Sequence, residues 1–309
     1  MELKQTAMSH IEEASPDESV VAVAARVLAS RLGAVVHALP LAARHADEDA
    51  EFVHELRVAS RRAVAAIEVF SDLAPGRRAR RLIKVLERIR HAAGKARDTD
   101  VLLARWRGDE DASASIQRHI ARGRRRAQKQ LIAIDARFLR TGLLSRRIAK
   151  LVDRVASRGR DGGAERIPRF GPWAAGVLSP RVAAFFAASS ESSVSVLALH
   201  RFRISGKELR YAIEVLAGAF PIELARDLYP VIESSQGKTG EITDHTVACQ
   251  RLEGRLDRFA PRGKIAGLLR LLRSEEARLG RATLAFASWW TTNRSEELHR
   301  NLLELLPPG

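Results

Sequence analysis

Apolar residues recur along this chain at intervals of three and four, the spacing of one face of an α-helix. Ala, Leu, Arg and Glu, common in helices, dominate the composition. No strand pair or hairpin turn stands out. The pattern predicts an all-α protein. Four breaks interrupt it: "LAPGRR" at 73–78, "RWRGDEDASAS" at 105–115, "SRGRDGGAERIPRFGP" at 157–172 and "FAPRGK" at 259–264. The third, rich in Gly, Pro and charge, reads as a connector between a helical region at 19–156 and another at 173–306. Residues 1–18 are polar and read as a loose tail.

Sliding the chain against itself by 146 residues superposes "HELRVASRRAVAAIEVF" on "HRFRISGKELRYAIEVL". His54 falls on His200, Arg57 on Arg203, Arg61 on Lys207, Ile67 on Ile213 and Glu68 on Glu214. The same offset places Gly94 on Gly240, Asp98 on Asp244 and Val101 on Val247. Two blocks matching at one offset predict a duplication: two similar halves, each of four main helices.

On a helix, His54, Arg57 and Arg61 fall within about 60° of one another. Phe52, Leu56, Ala59, Ala63, Ile67 and Phe70 take the opposite side. The second copy sets His200, Arg203, Lys207 and Arg210 against Phe202, Ser205, Leu209, Ile213 and Leu216. A solvated polar face normally mixes signs, with acids pairing to bases one turn away. Here the first two turns are purely basic in both copies. Glu68 and Glu214 enter later, where they are expected to orient the arginines. Two further helices carry cationic stripes. Arg77, Arg81, Lys84, Arg88, His91 and Lys95 follow spacings of 4, 3, 4, 3, 4, and Arg118, Arg122, Arg125 and Lys129 follow 4, 3, 4. The second half has only Lys238 against the former and Arg270, Arg273, Arg278 and Arg281 against the latter.

Charge strengthens this reading. The net charge is +15, from 52 Lys/Arg and 37 Asp/Glu. Residues 76–160 hold 25 basic and 8 acidic residues, so the rest of the chain is slightly acidic. Such a focused cationic field favours a polyanion. No apolar run is expected to reach the ~20 residues of a membrane span, and the N-terminus lacks a secretory pattern. The expectation is a cytoplasmic protein that does not engage membranes. The single cysteine, Cys249, excludes a disulfide framework and a Cys-based zinc site.

Enzyme readings are weak. The histidines are scattered, and His54 has cations for neighbours, which would repel a metal ion. "GKTGE" at 237–241 lacks the spacing of a phosphate-binding loop. Asp98 and Asp100 in "RDTD" are expected to cap or anchor the following helix through Arg/Asp pairing. No acids accompany the basic face to hold the metal ions of phosphoryl transfer. We expect neither catalysis, a cofactor nor a metal. Nucleic acid remains the rival ligand, although aromatics make up only 5% and none interleaves with the basic stripes.

The paired blocks, "VHELRVASRRAVAAIEVF" with "AAGKARDTDVLLARW" and "LHRFRISGKELRYAIEVL" with "TGEITDHTVACQRL", resemble the CHAD family, the conserved-histidine α-helical domain. The resemblance extends over about residues 20–306. It implies two four-helix bundles related by approximate twofold symmetry around a basic central groove or pore. It also implies non-catalytic binding of inorganic polyphosphate and association with polyphosphate granules. Carried over by position, the ligand-facing residues are His54, Arg57 and Arg61, then His200, Arg203, Lys207 and Arg210. Lys84 and the helix around Arg125 resemble the family's further basic positions. Val64 departs from the pattern, standing where the family usually has a third basic residue. Adding the stripes, the candidate contacts also include Arg62, Arg77, Arg81, Arg88, His91, Arg118, Arg122, Arg126, Lys129, Lys238, Arg273, Arg278 and Arg281. Polyphosphate offers charge but no bases, so forked arginine donors and flexible lysines suit it. Weak nucleic-acid binding is kept as a secondary expectation. The chain lacks the alternating acidic and basic strand pattern of the CYTH domain to which some family members are fused, so a stand-alone domain is expected.

Overall fold

The computed structural model describes residues 14–74, 76–105, 114–161, 167–190, 196–259 and 265–306. The all-α expectation holds. Among the described residues the helices are α1 (Val20–Arg44), α2 (Glu51–Val69), α3 (Gly76–Arg105), α4 (Ala114–Thr141), α5 (Leu143–Asp161), α6 (Phe170–Ser190), α7 (Val196–Leu216), α8 (Tyr229–Phe259), α9 (Ile265–Trp289) and α10 (Thr292–Leu305). A 3₁₀ turn (Ala217–Ala219) and a π-helical turn (Leu224–Leu228) connect α7 to α8. The only bridge of β type among the described residues pairs Ser19 with Arg169 and ties the starts of α1 and α6 together.

The helix order runs in parallel through the chain. Shifted by 146, α2 covers 197–215, inside the span of α7, and α1, α3, α4 and α5 overlap α6, α8, α9 and α10. Among the described residues each run therefore has five helices, where four main ones were expected. The fifth is α5 or α10, and α5 packs chiefly on α1. The breaks at 105–115 and 259–264 fall largely outside the described residues. Residues 157–161 of the expected connector continue α5, because "SRGRD" has no residue that stops a helix outright.

Helix α1 forms the spine of the first half and packs on α2, α4 and α5. By length and hydropathy Val20–Arg44 would be apolar enough to cross a bilayer, which corrects the expectation that no run approaches a span. Its apolar residues instead fill the core: Val20, Val23, Leu28, Leu32 and Val35 are inaccessible to solvent. The predicted inner face of α2 is also buried at Leu56, Ala63, Ile67 and Phe70, and α7 matches it with Phe202, Leu209, Ile213 and Leu216. Full burial of such side chains contributes roughly 1.5–3 kcal/mol each. One core runs through both halves. The halves meet where α2 crosses α7, and again at the tips, where Leu103 and Ile120 join Leu252, Leu256, Leu268 and Leu271.

Candidate functional site

Beside the α2–α7 crossing lies a cavity of about 1110 Å³. Helix α2 contributes Arg57, Arg61, Val64, Ala65, Glu68 and Val69, and α3 contributes Glu87, Arg90, His91, Gly94, Lys95 and Asp98. The second half supplies Pro180, Arg181 and Ala184 from α6 and Ile204, Lys207, Glu208, Tyr211 and Ala212 from α7.

The repeated glycines have a steric reason. A Cβ on Gly94 would lie 2.8 Å from Arg57 Nη1, and one on Gly240 would lie 3.5 Å from Arg203 Nη2. Each glycine thus gives a guanidinium room to lie against the next helix. One turn further on stands the repeated acid. Asp98 Oδ1 is 3.9 Å from Arg57 Nη1, and Asp98 Oδ2 accepts a hydrogen bond of 3.3 Å from Arg251. Asp244 attracts both Arg203 and Arg57. Asp98 therefore makes the Arg/Asp pairing expected of it, but from inside α3 and between the halves rather than at a helix end. Asp100 takes the anchoring role, accepting a 2.6 Å bond from Arg124 on α4.

The cations crowd together. Lys207 is pushed down to about 7, first by burial and then by Arg203, Arg61, Arg57 and Arg210. Burial also lowers Arg57 and Arg203, although a guanidinium stays charged. Nε of Arg203 and Nε of Arg210 are buried and make no hydrogen bond within the protein. His54 is held below its ordinary value by burial first, against the pull of Glu51, with Arg97, Arg57 and Arg61 adding to the shift. The neutral form anticipated from its neighbours is favoured, but burial is the larger cause.

A second network lies beside the first. Glu214, 2% exposed, accepts bonds of 2.6 Å from Arg62 Nε and 2.7 Å from the Tyr229 hydroxyl. Its backbone carbonyl accepts 3.2 Å from Arg31. Burial, then Glu214, raises Tyr229. Burial is the largest single influence on Arg210 and opposes its charge, but Glu214, Tyr211 and Tyr229 together outweigh it and hold the guanidinium above its ordinary value. Arg210 also lies over the Tyr211 ring and 3.5 Å from Glu233.

The structure thus sorts the sequence candidates. Arg57, Arg61, His91 and Lys207 line the cavity, and Arg203 and Arg210 adjoin Lys207. Arg62 does not line it, because its guanidinium is committed to Glu214. His54 adjoins Arg57 and Arg61 outside the lining, and His200 is exposed. Arg77, Arg81, Lys84, Arg88, Arg118, Arg122, Arg125, Arg126 and Lys129 are exposed away from the cavity. Lys238 lies over the Trp289 ring, Arg278 pairs with Glu275, and Arg273 and Arg281 are exposed. On α3 the stripe facing the site is Glu87, Arg90, Gly94 and Asp98, adjacent to the regular basic stripe, of which only His91 and Lys95 enter the lining. The repeated Gly94 and Asp98 already marked that face. Arg90, Arg181, Glu87, Glu208 and Tyr211 were missed. Among the described residues no three His, Cys, Asp or Glu side chains are grouped to hold a metal ion.

Comparison with known proteins agrees with this architecture. The sequence profile of the CHAD domain matches residues 26–253. The chain belongs to the CHAD family. Its fold is similar to the crystal structure of the CHAD domain from the plant Ricinus communis, with a TM-score of 0.65 and 19% identity over 96% of each chain. It is also similar to PptA from Streptomyces chartreusis, with a TM-score of 0.61 and 18% identity over 88% of this chain and 99% of that one. No protein with a curated description matches. At 18–19% identity these two structures show the fold alone.

Proposed function

We propose that this CHAD protein binds inorganic polyphosphate at the α2–α7 crossing without turning it over. The observation that carries the reading is the gathering of Arg57, Arg61, Lys95 and Lys207 on one cavity wall, with Arg203 and Arg210 beside Lys207, whose ammonium is pushed down to about 7 by burial first and by these arginines next. Like charges gathered this closely cost stability in the unliganded protein, and an anion reverses that cost. Each charge-assisted bond contributes roughly 1.5–3 kcal/mol, so a few suffice for firm binding. The best-placed carboxylate, Asp98, is engaged by Arg57 and Arg251, which favours binding over phosphoryl transfer. Targeting to polyphosphate granules follows from such an affinity.

A second reading, nonspecific nucleic-acid binding, rests on the exposed basic faces of α3 and α4 outside the cavity. Calorimetric titration with long polyphosphate, orthophosphate, duplex DNA and RNA at one salt concentration separates the two. Polyphosphate binding well above the others is expected. DNA binding as tightly would overturn the preference, and orthophosphate release with added Mg²⁺ would overturn the non-catalytic reading.

A further inference from the structure

The cavity has two chemically different ends. From Arg57 to Glu68 along α2 is roughly 16 Å at 1.5 Å per residue. At the first end Arg57, Arg61, Lys95 and Lys207 meet one lining carboxylate, Asp98, with Asp244 behind it attracting Arg57. At the other, Glu68 from α2, Glu87 from α3 and Glu208 from α7 outnumber Arg90 and Arg181. Arg181 is further tied to its own helix, donating 2.6 Å to the Val177 carbonyl in the turn where Pro180 lacks an amide proton.

The opposite face of the crossing shows what these positions do when they serve stability. At the offset of 146, Arg62 aligns with Glu208 and Glu68 with Glu214. Away from the cavity the two positions form the 2.6 Å Arg62–Glu214 ion pair. Facing the cavity they are Glu208 and Glu68, two carboxylates close enough to oppose each other's charge. An arginine at 208 would supply both a salt bridge and a further cation in the cavity.

We propose that Glu68, Glu87 and Glu208 form an electrostatic stop that confines a bound polyphosphate chain to the Arg57–Arg61–Lys207 end and keeps it from running the length of the cavity. The inference rests on the polyphosphate reading and deepens it. Short chains fit the basic end and do not sense the stop. Long chains must leave the cavity before reaching it, so the carboxylates limit the number of phosphates in contact.

The test compares Glu68→Gln/Glu87→Gln/Glu208→Gln with a control of equal charge change on α10, Glu296→Gln/Glu297→Gln/Glu304→Gln. Dissociation constants are measured for long-chain polyphosphate and for tripolyphosphate at low and moderate salt. All six residues are exposed, and circular dichroism checks the fold of both variants, with Glu68→Gln alone as the milder version. The expected result is about 10-fold tighter binding of long chains by the cavity variant, against less than about 2-fold for the control and for tripolyphosphate. Equal effects in cavity and control variants, or weaker long-chain binding, would overturn the stop. If the unaltered protein binds neither ligand, the polyphosphate reading fails first and the stop falls with it.

Discussion

Glu68 and Glu214 occupy the same place in two similar helices, yet they live in opposite surroundings. Glu214 is buried, with Arg62, Tyr229 and Arg210 around its carboxylate. Glu68 opens onto the cavity, where the walls, then Glu208, hold its carboxyl above the usual range. The helix that carries each residue does not explain the difference. The partner across the crossing does: Arg62 in one case, Glu208 in the other. One side of the α2–α7 contact holds the halves together, and the other leaves charge unbalanced in a cavity.

That contrast can be broken most severely at Glu214. Glu214→Ala strands Arg62 and the Tyr229 hydroxyl in the interior and should destabilise the protein by about 3–5 kcal/mol, as removal of one partner of a buried pair generally does. Glu68→Ala should change stability by less than about 0.5 kcal/mol. Urea denaturation of both variants checks this, and equal losses would show that the two carboxylates do the same work.

Charge reversal at the paired arginines comes next. Arg57→Glu with Arg203→Glu should weaken polyphosphate binding at least ~100-fold, or about 3 kcal/mol from two charge-assisted contacts, while far-ultraviolet circular dichroism stays unchanged. A collapse of helicity would instead assign these residues to the fold.

A third contrast is between Arg61 and Lys207, aligned in the repeat but different in chemistry. Arginine cannot lose its proton in this range, whereas Lys207 does so near 7. Bound phosphate raises the lysine again, so complex formation takes up a proton above pH 7. Affinity should therefore be full below pH 7 and fall as pH rises, by up to ~10-fold per unit until the bound lysine itself titrates. In the unliganded protein the sign is opposite. The unfolded chain keeps the proton that folded Lys207 has lost, so stability rises with pH between about 7 and 10. Calorimetry in buffers of different ionisation enthalpy reads the proton uptake directly. Lys207→Arg should flatten the affinity profile, and an unchanged profile would remove Lys207 from the explanation.

The smallest effect separates the two glycines. Alanine at either position gains helix propensity of about 1 kcal/mol. Gly94→Ala also presses a methyl group to 2.8 Å from Arg57 Nη1 and should weaken polyphosphate binding several-fold by displacing that guanidinium. Gly240→Ala, at 3.5 Å from Arg203 Nη2, should leave affinity within about 2-fold. Thermal denaturation and titration of the pair test this, and equal binding losses would cancel the steric distinction.

Much of the fold was legible because helix faces are local. The spacing of Leu56, Ala63, Ile67 and Phe70 against Arg57 and Arg61 follows from 3.6 residues per turn, and the structure buries the first set and brings the second to the cavity. The repeated Gly94 and Asp98 marked the face of α3 that meets the site, although the more regular stripe of Arg77, Arg81, Lys84 and Arg88 drew attention to a neighbouring face. Arg62 looked like one more basic-face residue, because nothing in its own helix reveals that Glu214 waits across the crossing. Sequence by itself determined the helices, their inner and outer faces, the family and the paired positions of the arginines and their glycines. Only the tertiary structure decided which cations converge, which pair off and where carboxylates close the cavity. Helix periodicity is set within one chain segment, whereas a charge's role depends on the groups that packing brings within a few ångströms from helices more than a hundred residues away.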